Sequence, residues 1–455
     1  MQSKVKANIR DSLIITALKM LARENWKTIT IILALSLVII IYSVFVIALI
    51  GVFTVPRLRI VPSEYESIQE AVNEALDGDI IYVKAGIYQE NLVIDKPIIL
   101  IGEDPRRTLL DGGMSDYTIL IKRGDSVVIT GFTITGGGTI IDVGGRGVGL
   151  QIYNSSRVLV FRNYFTGNRM AIYIHSSSDI LILENLIYGN REGIYLTGSK
   201  RIMVSENILT DNPSFGIHLR SSKENIIHRN MIIGGINGIY FYDKADGNKV
   251  SENVIKGGGM LILDSSSNQI VDNIFADKGM FFSNSYTNFV SGNKVNDKPI
   301  IYLEMASGEA VEGAGQVILV NCENITIMGV NASGAGVAIE FWNTNNSRVV
   351  ESKLANNEIA VYIHSSSNNK ILRSVITSNY IGILLSSSHN NVVSDNTFAL
   401  NLFGIALRDS YKNTINDNLI SDSLSVGILL LNSSRNAIYE NIFMNNSKDL
   451  VDIKP

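Results

Sequence analysis

Asparagine returns at a near-constant interval through most of this chain, and that period limits the possible folds more than any other feature. Asn163, Asn185, Asn207, Asn230, Asn253, Asn273 and Asn293 follow one another at steps of 22, 22, 23, 23, 20 and 20 residues. After one interruption the register resumes through Val330, Ser352, Ser374, Asn396, Asn418 and Asn441, at steps of 22, 22, 22, 22 and 23. A second motif alternates with it, in forms such as "AIYIHSSS", "GIYLTGS", "GIHLRSS", "GIYFYDK", "VYIHSSS" and "GILLSSS". Each unit holds short apolar runs that alternate with period two, a strand signal too brief for helices. Gly, Asn and Ser between the runs tolerate left-handed and sharply turned backbone. A unit of this size cannot bury its own apolar face, but stacked copies bury one another and pair each strand with its equivalents. The predicted fold is all-β: a single parallel β-helix, a solenoid of coils about 22 residues long. At ~4.8 Å per coil, about 16 coils make a rod of ~75 Å. The recurring Asn residues are expected inside it as a ladder, each amide bonding to the next turn's backbone.

Such a stack needs its first edge covered, because an open edge invites pairing. "SEYESIQEAVNEALDGD" supplies a capping helix. Ser63 and Glu66 match a capping box, and Ile68, Ala71, Val72, Ala75 and Leu76 form one apolar stripe. Asp77-Gly78-Asp79 then turns into the strand "IIYV". The organisation predicted for this part is a linker and capping helix at 57–79, a first β-helix half at 80–293, an insert at 294–329, a second half at 330–450 and a tail at 451–455. Pro299, Gly308, Gly313 and Gly315 predict a loop or hairpin in the insert. Within it, from Asp297 to Ile327, five acids (Asp297, Glu304, Glu309, Glu312, Glu323) against Lys298 make it locally negative. A docking surface and a structural kink are both open readings of it.

Thr28 to Pro56 carries no charged residue. A helix over this stretch rises roughly 40 Å, enough to cross a ~30 Å hydrocarbon core with tilt. It is too long for a signal-peptide core and no A-x-A cleavage site follows, so 28–56 is predicted to be an uncleaved transmembrane anchor. Residues 1–27 carry six Lys/Arg and two acids, a balance of +4. That places the N-terminus in the cytoplasm and the β-helix outside it, at the cell membrane. Ile9, Leu13, Ala17, Met20 and Leu21 lie at helical spacing, which fits either an interfacial helix or an extension of the anchor.

The whole chain has a net charge of −4, so the remainder carries −8. An acidic ectodomain argues against nucleic acid, which needs a basic patch. The single cysteine, Cys322, excludes a disulfide framework and a cysteine zinc site. The five histidines (His175, His218, His228, His364, His389) show no H-x-H or H-x-x-x-H spacing, and no M-x-x-M or C-x-x-C occurs. No metal site and no cofactor are predicted.

In "G-I-Y-L-x" the Ile and Leu point inward and the third and fifth residues outward. One outward column reads Tyr173, Tyr195, His218, Tyr240, and its neighbour His175, Thr197, Arg220, Tyr242. In the second half the columns read Glu340, Tyr362 and Trp342, His364, Ser386, Arg408. Stacked aromatics beside His and Arg suit the apolar faces and hydroxyls of sugars, or a partner protein. Tyr and Thr are also frequent on exposed strands for β-propensity alone. The best carboxylate pair, Asp243 and Asp264, follows strands directly, where Asp commonly shapes a turn. No catalytic residue is assigned. Asn154, Asn324, Asn331, Asn345, Asn432 and Asn445 head N-x-S/T sequons, candidate glycosylation sites on exposed turns.

The stretch "SIQEAVNEALDGDIIYVKAGIYQENLVIDKPIILIGED" resembles the opening of pectin-lyase-like right-handed β-helices. The repeats after it, and the break "NDKPIIYLEMASGEAVEGAGQVILVNCENITI", resemble NosD-like members of the carbohydrate-binding and sugar-hydrolase β-helices. The resemblance covers about residues 60 to 450. It implies a right-handed β-helix and a family labelled copper-binding, whose best-known members assist copper-centre assembly beside a transporter. Motifs of pectin esterases ("QDT", "DFIFG"), polygalacturonases (adjacent Asp pairs, "HG") and epimerases ("DPHD") are absent. The function expected is therefore a membrane-anchored binding or assembly scaffold, its partner a glycan, a surface protein or a transporter. A polysaccharide lyase, epimerase or hydrolase with unrecognised catalytic residues, and a copper-delivery accessory protein, are the alternatives.

Overall fold

The structure is a computed structural model that describes residues 56–136 and 147–454. The predicted basic segment 1–27 and the anchor, apart from Pro56, lie outside the described residues. Among the described residues no helix is long and apolar enough to cross a membrane. The described chain is an all-β solenoid of about 18 turns.

Coils follow the interval set by the asparagines. Met170–His175, Ser178–Leu183 and Leu186–Tyr188 make one coil, and each pairs in parallel with its equivalent 22 residues on. The first strand of each coil builds a broad sheet of nine strands, from Leu92–Ile94 to Met280–Ser283. Its inward side chains, such as Ile172, Ile174, Ile194, Leu196, Ile217 and Leu219, are fully buried. The glycine of "GIYL" has a steric cause: a Cβ on Gly193 would lie 2.3 Å from the Gly216 carbonyl oxygen of the next coil.

Asn163 shows how the ladder works. Its backbone N–H donates to Asn185 Oδ1 (2.9 Å), and its Nδ2 donates to the carbonyls of Ile129 and Phe161. Asn185, Asn207, Asn230, Asn253 and Asn273 repeat the pattern up to Asn293. In the second stack Val330 donates to Ser352, Ser352 to Ser374 and Ser374 to Asn396, after which Asn396, Asn418 and Asn441 continue. Serine thus takes the same acceptor role. Along these two runs the buried backbone N–H of each ladder residue donates to a side chain of the next coil, which avoids the cost of an unpaired buried group.

The capping helix α1 spans Ile68–Glu74 and buries Ile68, Ala71 and Val72. Its N-cap is Ser67, which accepts from the Glu70 N–H, while Glu70 reaches back to the Glu66 N–H. The capping box therefore sits one turn later than Ser63/Glu66. The strand Leu58–Val61 and its following turn occupy the earlier residues, and Ser63 instead accepts from Lys84 Nζ. Leu76, placed by sequence on the buried stripe, lies past the helix end and is exposed. Beneath the cap Arg59 and Asp79 form a buried ion pair at 2.8 Å. Burial alone would raise Asp79. The backbone N–H groups of Arg57 and Leu76 and the Arg59 guanidinium outweigh it and hold the carboxyl below its usual range.

Of the loop or hairpin expected in the insert the structure has the hairpin, and it serves as a joint. Lys294–Val295 and Lys298–Glu304 form a two-residue hairpin, the one antiparallel pair among the described strands. Asn296 and Asp297 at its tip both have positive φ (48° and 65°), as a type I′ turn requires. Lys298–Glu304 then starts the second stack's broad sheet, pairing in parallel with Gln316–Val320. That sheet continues to Leu450–Ile453, so the coils run through the expected tail.

The outer face of this second broad sheet lies across the end of the first stack. The last broad strand of the first stack, Met280–Ser283, has no further coil to accept its N–H groups. Gly279 N donates to Ala335 O (2.9 Å), Met280 N to Gln316 Oε1 (2.9 Å) and Phe282 N to Glu340 Oε2 (3.4 Å). Glu304 accepts from Thr287 and Asn288 on the adjoining face. A Cβ on Gly279 would stand 2.1 Å from Gln316 Oε1, so any larger residue there would displace the Gln316 amide.

Candidate binding face

Alternation within "GIYL" turns the third and fifth side chains of every broad strand outward, and parallel in-register pairing stacks them at coil spacing. On the first stack this places Tyr173 beside Tyr195 (ring centroids 5.2 Å), Tyr195 beside His218 (4.3 Å) and His218 beside Tyr240 (4.7 Å). Interplanar angles of 20°, 17° and 29° make this a stacked ladder. His175 stacks on Tyr173 and Tyr242 on Tyr240. Most of these rings are half-buried, and Tyr242 is exposed.

Two members of the ladder were not singled out by sequence. Tyr153 pairs in register with His175 and its ring lies 5.4 Å away, so the column begins one coil earlier. Phe215 packs on both His218 and Tyr240 from a strand's first position. The period alone could have found Tyr153. Phe215 stands at a position the two-column pattern does not cover.

His218 sits between Tyr195, Tyr240 and Phe215. Burial, with a smaller push from the Arg220 guanidinium, lowers its pKa to about 4, so the imidazole is neutral near pH 7. Arg220 itself pairs with Asp243 at 3.3 Å. Asp243 and Asp264 have left-handed φ of 52° and 47°, and Asp264 accepts from Asn284 Nδ2 (2.6 Å). Both are turn residues tied to their neighbours. With Lys244, Asp246, Ser266 and Tyr242 they line a shallow groove of about 460 Å³ at the edge of the ladder.

The second stack departs from the expected open columns. Glu340 is fully buried, and Trp342 and Tyr362 nearly so. They do point away from their own core, but they point onto the end of the first stack. Phe281 meets Tyr362 at 5.8 Å, and the Trp342 indole N–H donates to Glu340 Oε1. Burial drives Glu340 well above the usual carboxylate range, with the Trp342 and Phe282 donors only partly offsetting it. Beyond the joint the same face carries half-buried His364, buried Ser386 and exposed Arg408. His364 lies 4.1 Å from the Trp342 ring, and Arg408 Nη2 donates to Ser386 Oγ (3.0 Å).

Of the sequon residues, Asn154, Asn324, Asn331, Asn432 and Asn445 are exposed. Asn345 is half-buried, its Oδ1 accepting from Ser367.

Taken together, the solenoid and its outward rings define a parallel β-helix with an aromatic ladder on one face. A family model described as "Periplasmic copper-binding protein (NosD)" matches residues 106–278 and 279–453, and the chain belongs to that family. The two matched segments meet at Lys278/Gly279, at the joint between the stacks. No curated protein matches. Among solved structures, the chain is similar to the A-module of the Azotobacter vinelandii mannuronan C-5 epimerase AlgE4 at 13% identity. That match covers 85% of this chain and 93% of the other, with a TM-score of 0.30. It is also similar to the Yersinia enterocolitica family 28 exopolygalacturonase (12% identity, 88% and 79% covered, TM-score 0.43). A third, the exopolygalacturonase from Thermotoga maritima, gives 12% identity, 75% and 88% coverage and a TM-score of 0.42. At these values the likenesses identify neither a substrate nor a reaction.

The copper in the family's description finds no matching ligand set. Among the described residues no group of three His, Cys, Asp or Glu could hold a metal ion. His228 bonds Ser251, His389 stacks on Tyr411, and the Cys322 thiol is buried against the carbonyls of Leu303 and Val320. These described residues do not fit a copper site.

Proposed function

We propose that this chain is an extracytoplasmic binding scaffold whose ligand-facing surface is the aromatic ladder of the first stack, and that it takes a glycan. The single observation that carries this reading is the run of rings from Tyr173 through Tyr240, 4.3–5.2 Å apart on successive coils. Half-exposed rings offer the apolar C–H faces of sugars a continuous platform, and the tyrosine hydroxyls at its rim can bond sugar hydroxyls. The turn carboxylates beside it are engaged with Arg220 and Asn284, which favours holding a ligand over cleaving it. The family's description as periplasmic supports a location outside the cytoplasm. The uncharged stretch after a basic N-terminus supports a single-pass anchor there.

The test is a screen of the full-length chain in detergent against neutral and acidic oligosaccharides, beside a Tyr195→Ala/Tyr240→Ala variant. The reading expects at least one glycan class to bind and the double variant to lose about ten-fold or more in affinity, or ~1.4 kcal/mol. A wild-type chain that binds no glycan, or a variant that binds as well as wild type, contradicts it.

A further inference from the structure

The two outward faces that sequence presents as separate columns meet in one re-entrant corner. The path across the joint shows how. Along the second broad sheet, Lys298–Glu304 pairs with the third sheet of the first stack through the hairpin. Tyr302 on that same strand touches the Phe282 ring (5.0 Å), and the next strands cross the end of the first core, where Glu340 accepts from the Phe282 N–H. Ile359–His364 then reaches the outer side, where Tyr362 touches outward-facing Phe281 and Glu358 pairs with Lys278 (2.6 Å). Strands Ile381–Ser386 and Phe403–Arg408 continue the sheet past that edge. Their outer face therefore forms a second wall standing over the aromatic ladder. One wall presents Tyr240, Tyr242 and Phe281, the other His364 and Arg408, with nearly buried Tyr362 at the seam.

Concave surfaces with an apolar lining and a few convergent polar groups are the usual ligand sites. The second wall also brings a charge to this corner. Arg408 bonds the Ser386 hydroxyl and, among the described residues, forms no ion pair with a carboxylate. The one acid beneath it, Glu340, is fully buried and turned to the Trp342 indole and the first stack. At the rim Glu358 is neutralised by Lys278, as Asp243 is by Arg220. On the first wall Asp264 is held by the Asn284 amide and lies beside Lys244, so the exposed guanidinium is the charge that the second wall contributes, with five donors in a fork that fits a carboxylate.

We propose that this corner is the principal binding site and that it selects acidic saccharides, with Arg408 taking a sugar carboxylate while Tyr240 and Phe281 carry the ring faces. This rests on the glycan reading above and adds its charge class and its location. Half-buried His364, backed by nearly buried Tyr362 through the contact of its Nδ1 with Tyr362 Oη (3.3 Å), stands where it bonds the ligand's hydroxyls.

The experiment compares an oligogalacturonate hexamer with uncharged cellohexaose by calorimetry on the full-length chain, for wild type, Arg408→Gln and Tyr240→Ala. The proposal expects the hexauronate to bind about ten-fold tighter than cellohexaose, with the difference shrinking as salt is raised. Arg408→Gln should bring the hexauronate to the level of the neutral hexamer, and Tyr240→Ala should weaken whichever ligands bind. Equal affinity for the two hexamers in wild type, or a preference that survives in Arg408→Gln, overturns the acidic-ligand proposal and leaves the glycan reading standing. No binding of either hexamer overturns this proposal, and no binding across the wider screen overturns the glycan reading as well. Arg408 is exposed on a strand and bonds only Ser386, so its variant tests charge without threatening the fold.

Discussion

The first and second stacks end on the same kind of strand and solve the same problem in opposite ways. Met280–Ser283 closes the broad sheet of the first stack, and Leu450–Ile453 closes that of the second. At the first end the chain itself supplies the missing coil's acceptors, from Gln316, Glu340, Glu304 and the Ala335 carbonyl. Phe282, on the last coil, is as buried as the residues of the middle coils. At the second end nothing among the described residues lies above the last coil. Ile438 and Phe443 hold core positions yet are only half-buried, and Leu450, stacked on fully buried Ile428, is exposed. That strand is blunted by charge instead. Asp452 follows Leu430 in an inward position, with Lys448, Asp449 and Lys454 around it, a common guard against edge-to-edge pairing. The contrast teaches what the insert does: it turns an edge into an interior, and in doing so creates the corner.

Breaking the closed end should be costly. Phe282→Ala removes a buried ring at the joint and should cost about 3–5 kcal/mol in denaturant unfolding. Trimming half-exposed Phe443 at the open end should cost visibly less, because that site can collapse into solvent. Gln316→Leu keeps the volume but strips partners from the Met280 N–H and carbonyl and from the Val337 carbonyl. We expect a loss of about 1–3 kcal/mol. An unchanged denaturation midpoint would mean that the first end does not need its acceptors.

Glu340→Gln sharpens the comparison through pH. A carboxyl whose folded pKa is raised binds its proton more tightly in the folded state. Its stabilising contribution is complete below the unfolded value of ~4.3 and is lost as pH rises through the folded pKa. The wild type should therefore lose stability over that rise, whereas Glu340→Gln, which still accepts from the Phe282 amide, should show a flatter profile. Identical melting-versus-pH curves for the two proteins would contradict the burial of Glu340. The smallest effect belongs to the open end. Asp452→Leu should change monomer stability by no more than about 0.5 kcal/mol. It should nevertheless make sedimentation concentration-dependent, because an apolar edge then lies unguarded.

Much of this architecture was legible because it is set by nearest-neighbour physics. The Asn spacing fixes the coil, the coil fixes the register, and the register stacks Tyr173, Tyr195, His218 and Tyr240. Parallel ladders such as Asn168, Asn190 and Asn212 obey the same period and could have been found by it. What the period does not encode is which outward face another part of the chain will cover. Glu340 and Tyr195 occupy equivalent positions, and both point away from their own core. Only the hairpin at Asn296–Asp297, which reverses the strand direction, decides that one is sealed and the other half-open. The N-cap differed for a local reason. Both Ser63 and Ser67 are followed three residues on by Glu, and the turn after Leu58–Val61 uses up the first of them.

The central claim, that the second stack closes the end of the first, is tested most directly by amide hydrogen exchange read by mass spectrometry on the full-length chain. The account predicts that peptides covering Met280–Ser283 exchange as slowly as interior strands such as Phe215–Arg220, and far more slowly than Leu450–Ile453. If Met280–Ser283 exchanges as fast as Leu450–Ile453, the first stack ends open and the corner does not exist.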